Sequence, residues 1–237
     1  MIELVAFAAH PDDAELSCAG TLLVAKAQGS NTAIVDLTRG ELGTRGTPAI
    51  RQAEADAATR ILNLDARLNL SLPDGHLANS AEHRLEVVKA IRALKPAIVL
   101  CNATTDRHPD HGVAGELVEA AWFLSGLQNI KTFTEGVEQM PHRPQMVLHY
   151  IQDRFIKPDL VIDISHQIEL KMMAVKAFKS QFFDKDSDEP ATYISSPDFI
   201  DSVLSRAREM GRMIGVKYGE GYTCRRPIGL LDLRHLI

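Results

Sequence analysis

The chain opens on a short unbroken apolar run, Ile2–Ala9, with no alternation of polar positions and a polar turn behind it. That pattern predicts a strand buried on both faces, as in a parallel sheet. A helical period follows from Ala14 to Gln28, with Leu16, Leu22, Leu23 and Val24 among its apolar positions and Gly29 placed as a C-terminal cap. The same unit then repeats. Thr32–Leu37 reads as a strand. Thr38–Gly46 is a loop rich in glycine and charge. Thr47 and Pro48 suit the cap and first position of a helix running through Ala49–Leu62. Arg67–Leu72 predicts a third strand, closed by Pro73-Asp74-Gly75. Ser80 caps a helix reaching Leu94, Pro96 stops it, and Ala97–Cys101 is a fourth strand. After the loop Thr104–Asp110 a helix carries Val113, Leu117, Val118 and Ala121. Four successive strand–loop–helix units predict an α/β fold: Rossmann-like, a mostly parallel sheet with helices on both faces. The second half is less regular. Strands are expected at Met146–Ile151 and Leu160–Ile164, helices at His166–Phe183 and Asp198–Val216, a charged loop at Lys185–Pro190 and a mixed tail from Gly219 to Ile237. No stretch reads as a linker, so residues 1–237 are expected to form one domain.

Composition narrows the partners. A net charge of −5 without a lysine or arginine run argues against nucleic acid. No segment approaches the roughly 20 apolar residues of a membrane helix. The first residues lack a basic leader and a cleavage site, and Cys18, Cys101 and Cys224 form no C-x-x-C pair. Reduced thiols in a cytoplasmic protein are therefore expected, with Cys18 and Cys101 as small core residues.

The chemistry gathers at two strand ends, where ligands of doubly wound sheets bind. One cluster is Ala9-His10-Pro11-Asp12-Asp13 and the other is Asp106-Arg107-His108-Pro109-Asp110-His111. If the first and fourth strands are neighbours, both clusters face one crevice. Aspartates at helix starts are commonly caps, but capping does not ask for three histidines as well. Two imidazoles and a carboxylate suit a divalent transition metal with one position left open. Asp12 and Asp13 are adjacent, so one can bind metal while the other faces the reacting water. Spacing does not say which.

The two clusters resemble the signatures of the PIG-L/LmbE family of zinc-dependent N-deacetylases. The similarity extends through Asp36–Gly43, Arg51-Gln52-Ala53-Glu54, Leu72–Gly75, Asp106–Gly112, Lys176–Phe182 and Tyr218–Tyr222. These segments look like the bacillithiol-biosynthesis branch, which removes acetate from N-acetylglucosaminyl malate. The resemblance implies His10, Asp13 and His111 as zinc ligands and Asp12 as general base. It implies His108 as the histidine that serves the oxyanion or the leaving amine, and Asp110 as an aspartate orienting a histidine. Arg51 falls on an arginine lining the substrate site. Ferrous iron suits the same ligands. Relatives form homo-oligomers, so one is expected here, with a small amino-sugar conjugate as substrate.

Other readings compete. Deacetylation of N-acetylglucosaminyl inositol or of chitooligosaccharides fits the same signatures. Two histidines and a carboxylate also make the facial triad of non-haem iron oxygenases, which sit in β-barrels unlike this pattern. A nucleotide-binding module would show G-x-G-x-x-G after the first strand, and His10–Ala14 carries none.

Overall fold

The computed structural model describes residues 2–183, 185, 187–230 and 232. Asp186 of the expected charged loop and most of the end of the expected tail lie outside these. The first half follows the predicted alternation: β1 (Leu4–Ala8), α1 (Asp13–Ala27), β2 (Thr32–Asp36), α2 (Pro48–Leu62), β3 (Ala66–Asn69), α3 (Ala81–Leu94), β4 (Ile98–Asn102) and α4 (Pro109–Ser125). The expected caps form: Thr47 Oγ1 accepts from Ile50 N at 3.3 Å and Ser80 Oγ from His83 N at 3.2 Å. Gly29 takes the left-handed conformation after α1, with φ 89°. β3 stops three residues before the predicted Leu72, because Ser71 turns into the left-handed region at φ 52°.

Beyond α4 come a small hairpin, β5 (Phe133–Thr134) and β6 (Val137–Glu138), then β7 (Met146–Tyr150), β8 (Leu160–Asp163), α5 (Ile168–Lys176), α6 (Phe199–Met213) and β9 (Gly219–Thr223). The hairpin and β9 are absent from the sequence reading, and α5 is shorter than the predicted helix.

The main sheet has the order β3-β2-β1-β4-β7-β9-β8. Its strands from β3 to β7 are parallel, while β9 runs antiparallel to both its neighbours. β1 lies between β2 and β4, so the chain order reverses there and a crevice opens at the carboxyl ends of β1 and β4.

Alternate residues of β1 build two cores. Leu4, Ala6 and Ala8 pack with α1, α2, α5 and α6, while Val5, Phe7 and Ala9 pack with α3 and α4. Burial on both faces explains why the central strands read as continuous apolar runs. No described helix is long and apolar enough to cross a membrane.

Candidate active site

The two polar clusters meet as the topology requires. His10–Asp13 leave β1 and enter α1, and Asp106–His111 leave β4 and enter α4. His10, Asp12 and Asp13 are buried, at 7%, 4% and 2% exposure, and His111 at 5%, yet all line one open cleft of about 310 Å³. Asp13 bridges the histidines. Its Oδ2 lies 3.4 Å from His10 Nδ1 and its Oδ1 lies 3.2 Å from His111 Nε2. The rings of His10 and His111 are 5.5 Å apart, and His108 sits 4.7 Å and 5.1 Å from them.

Each of these groups is held from behind. Asp106 Oδ2 accepts from His111 Nδ1 at 2.6 Å, which turns Nε2 toward Asp13 and the cleft. Asp74 Oδ1 is 3.0 Å from His10 Nε2, and Asp110 Oδ2 is 3.5 Å from the same nitrogen. The histidine that Asp110 contacts is thus His10; its second tie is to Gly75 N, at 2.7 Å. Asp13 also accepts from Gln152 Nε2 at 2.6 Å, Asn102 Nδ2 at 3.3 Å and His10 N at 2.9 Å. Such outer contacts fix ligand orientation in metal sites.

The aspartates are not ordinary caps. Asp12 begins α1 but its side chain makes no capping bond, and its backbone is forced to φ 117°. A non-glycine residue rarely holds that conformation unless its surroundings impose it. Arg51 does so from α2: Nη2 donates to Asp12 Oδ2 at 3.1 Å and to Pro11 O, and Nη1 donates to Gly40 O at 3.5 Å. Gly40 itself has φ 65°, and a Cβ there would lie 2.0 Å from Arg51 Nη1. Arg51 borders the cleft, but its described contacts are to the protein. At α4 the cap is His108, whose Nδ1 accepts from Asp110 N at 3.2 Å. The ring proton therefore sits on Nε2, leaving a neutral donor.

Charge follows the geometry. Burial pushes the Asp12 carboxyl up to about 7, against the pull of Arg51. Burial and the nearby His10 and His111 lower His108. Burial opposes protonation of His111, but Asp13 and Asp106 outweigh it and carry the imidazole up to about 9. Apart from Asp12, the carboxylates here (Asp13, Asp74, Asp106 and Asp110) face imidazoles and neutral donors rather than arginine or lysine. A cation fits that surplus. Among the described residues, two groups offer ligand atoms close enough for one ion: His10, His108 and His111, and His10, Asp74 and Asp110.

Sequence reading named His10, Asp12, Asp13, Arg51, His108, Asp110 and His111, and all of them except Asp110 line the cleft. It gave no role to Asp74, Asn102, Asp106 or Gln152. Their one shared signal is position, since each lies at or just beyond the carboxyl end of a strand. Tyr222 and Tyr218 do not border the cleft. Tyr222 is wholly buried and donates to Thr21 Oγ1 at 2.5 Å, and Tyr218 packs on Ile164 and Ala207.

Comparison with known proteins bears on the fold and the family. Residues 5–122 match the PIG-L family, described as GlcNAc-PI de-N-acetylase. The chain is 30% identical over 222 residues to diacetylchitobiose deacetylase of Thermococcus kodakarensis, covering 90% of this chain and 79% of that one. It is 26% identical over 197 residues to a probable N-acetyl-alpha-D-glucosaminyl L-malate deacetylase 2 of Bacillus anthracis, covering 78% and 83%. A conserved protein from Thermus thermophilus superposes with a TM-score of 0.87 at 38% identity, over 98% of this chain and 99% of that one. With the paired histidine–aspartate turns in place at the reversal of strand order, the chain belongs to the PIG-L family.

Proposed function

We propose that this protein hydrolyses the acetamide of an N-acetylglucosamine conjugate, releasing acetate and the free amine, with a divalent cation held by His10, Asp13 and His111. The observation that carries the reading is the convergence of two imidazoles on the two oxygens of one aspartate, at 3.4 Å and 3.2 Å, beside a second aspartate held apart by an arginine. Zinc fits this donor set, and so does ferrous iron. Bound there, the ion supplies a Lewis acid for the acetamide carbonyl and lowers the pKa of water.

The protein's own groups do the rest. Asp12, steadied by Arg51, takes the proton of the attacking water. The water oxygen bonds to the acetyl carbon as the carbon–nitrogen bond breaks, and the proton passes on to the departing nitrogen. His108 presents its Nε2–H to the charge that develops on the carbonyl oxygen, a type of contact worth about 3–4 kcal/mol. Asp106 and Asp74 keep the two ligand imidazoles turned toward the cleft. For the group attached to the sugar, the bacillithiol-type motifs favour malate, whereas the Thermococcus relative favours a second sugar.

The test is amine release from N-acetylglucosaminyl malate and from diacetylchitobiose, before and after exhaustive chelation. Turnover is expected to vanish with the chelator and return with added zinc or ferrous ion. Hydrolysis that persists after chelation contradicts the mechanism.

A further inference from the structure

Resting on the reading of His10 as a cation ligand, we propose that Glu41 is a positioning residue. It meets neither the cation nor the sugar. It holds the turn Pro73–His76, on which both outer contacts of His10 Nε2 depend.

The first support is the way that turn is held. Asp74 reaches His10 Nε2 with Oδ1 at 3.0 Å. Asp110, whose Oδ2 lies 3.5 Å from the same nitrogen, accepts from Gly75 N at 2.7 Å. Both contacts therefore run through one turn, and a shift of the turn moves both. The turn lies beyond the end of β3, outside the strand ladder. Glu41 clamps it from the neighbouring loop, where Oε1 accepts from Asp74 N at 3.0 Å. Leu42 N donates to Asp74 Oδ2 at 2.8 Å. Asp74 is thus fixed at its backbone and at one carboxylate oxygen, and Oδ1 is left for the histidine. Gly75, at φ 69°, lets Leu42 close on the turn: a Cβ there would lie 2.9 Å from Leu42 Cδ1.

The second support is the way Glu41 is itself fixed. The loop after β2 folds back on the end of β1. Thr38 Oγ1 donates to Ala9 O at 2.9 Å and accepts from Gly40 N at 3.2 Å. Gly43 N donates to Gly40 O at 3.1 Å, and Glu41 Oε2 accepts from Arg39 N at 3.2 Å. The half-buried carboxylate is therefore set between two backbone amides, one of its own loop and one of the turn. Ala9 directly precedes His10, so the backbone and the ring of that histidine are tied to the same loop. Glu41 does not line the cleft. A carboxylate whose oxygens both meet backbone N–H groups behind a site orients the groups in front of it.

The experiment measures zinc affinity by competition with a chromophoric chelator for the wild type, Glu41→Ala and Glu41→Gln. It adds kcat and KM at saturating zinc on the two substrates of the deacetylase assay. Both variants lose the same charge, but glutamine keeps an acceptor for Asp74 N. Glu41→Ala should weaken zinc binding about tenfold, the lower end for outer contacts of a metal site, since Glu41 acts one bond further out than Asp74. Glu41→Gln should stay within about threefold of the wild type, the effect of removing a half-exposed charge. KM should stay within about twofold in both, and kcat should recover at saturating zinc. In an Asp74→Ala background, Glu41→Ala should add no more than about threefold, because its main path to His10 is gone. If that double variant does not fold, the comparison of alanine with glutamine decides. Equal losses in the two variants would mean that charge alone matters. A higher KM with unchanged zinc affinity would place Glu41 on the sugar, and a lower thermal midpoint with unchanged affinity would make it purely structural. Each of these outcomes, or a full tenfold loss in the Asp74→Ala background, overturns the proposal. Unchanged zinc affinity in an active deacetylase leaves the deacetylase reading intact. Zinc affinity that answers to Glu41 in a protein that hydrolyses no acetamide does the reverse.

Discussion

Helix α1 connects two buried clusters of charge that behave in opposite ways. At its first turn lie Asp12 and Asp13, surrounded by histidines and further aspartates and open to the cleft. Two turns on, Glu220 reaches in from β9 and accepts from Gly20 N at 2.9 Å, Thr21 N at 2.7 Å and Thr21 Oγ1 at 2.7 Å. Lys171 of α5 completes that second cluster, donating to Glu220 at 2.6 Å and to Leu16 O at 2.9 Å. There the charges cancel and both carboxylate oxygens of Glu220 meet protein donors, so the cluster closes on itself and ties β9 and α5 to α1. At the first turn the carboxylates outnumber their cations, and one aspartate holds a strained backbone. Burial of charge is common to both. The proposed function rests on the cluster whose balance a ligand has to complete.

The largest effects should separate the two. Asp12→Asn removes the proposed base while Arg51, Asp13 and the histidines stay. Turnover should fall by about 10³–10⁴-fold, at the upper end for general-base catalysis, with the thermal midpoint and the bound metal close to wild type. A near-normal rate removes the base assignment. In the second cluster, Lys171→Ala strands Glu220 in the interior. Breaking one side of a buried pair costs about 3–5 kcal/mol, read as a lower denaturant midpoint. The turnover per folded molecule should hardly move. If activity fell as steeply in Lys171→Ala as in Asp12→Asn, the distinction between the clusters would be lost.

Arg51 tests the boundary between them, being buried like the second cluster but tied to the first. The family resemblance implied a residue that lines the substrate site. It does border the cleft, and its described contacts there are Pro11 O, Asp12 and Gly40 O, with Nε buried and unpartnered. Arg51→Lys loses the fork that holds Asp12 and the turn together. Misplacing a reacting group by about 1 Å can cost about 100-fold, so kcat should drop by roughly that much with KM little changed. A rise in KM at constant kcat would return Arg51 to substrate binding.

The same contrast explains what could be read from the sequence. The first cluster was legible because its residues are contiguous, in His10–Asp13 and Asp106–His111, and because the parallel strands before them are apolar but for Asn102 at the end of β4. β9 was not legible. Gly219-Glu220-Gly221-Tyr222-Thr223 carries two glycines and a charge, and its strand character comes from β7 and β8 on either side. The glycines are there for closeness: a Cβ at Gly219 would lie 2.5 Å from Val161 Cγ1. Asp74, Asn102 and Gln152 escaped for a different reason. Each lies at, or a few residues past, the end of a different strand, and only the order β3-β2-β1-β4-β7 gathers them around His10 and Asp13.

Gln152 gives the finest division between the clusters. Its Nε2 donates to Asp13 Oδ1 at 2.6 Å, the oxygen that faces His111, and its Oε1 accepts from Asn102 Nδ2 at 3.4 Å. If Asp13 is a ligand, this amide chain orients its carboxylate without adding charge. Gln152→Leu then removes one donor from the ligand and nothing from the Asp12–Arg51 pair. Loss of an outer-shell contact of this kind typically weakens metal binding about 10–100-fold; because His10 N and Asn102 still hold Oδ2, the lower end is expected here. Competition with a chromophoric chelator measures that affinity directly, and saturating metal should restore most of the activity. Unchanged affinity in Gln152→Leu would mean that Asp13 does not hold the cation and that the His10, His108 and His111 group does.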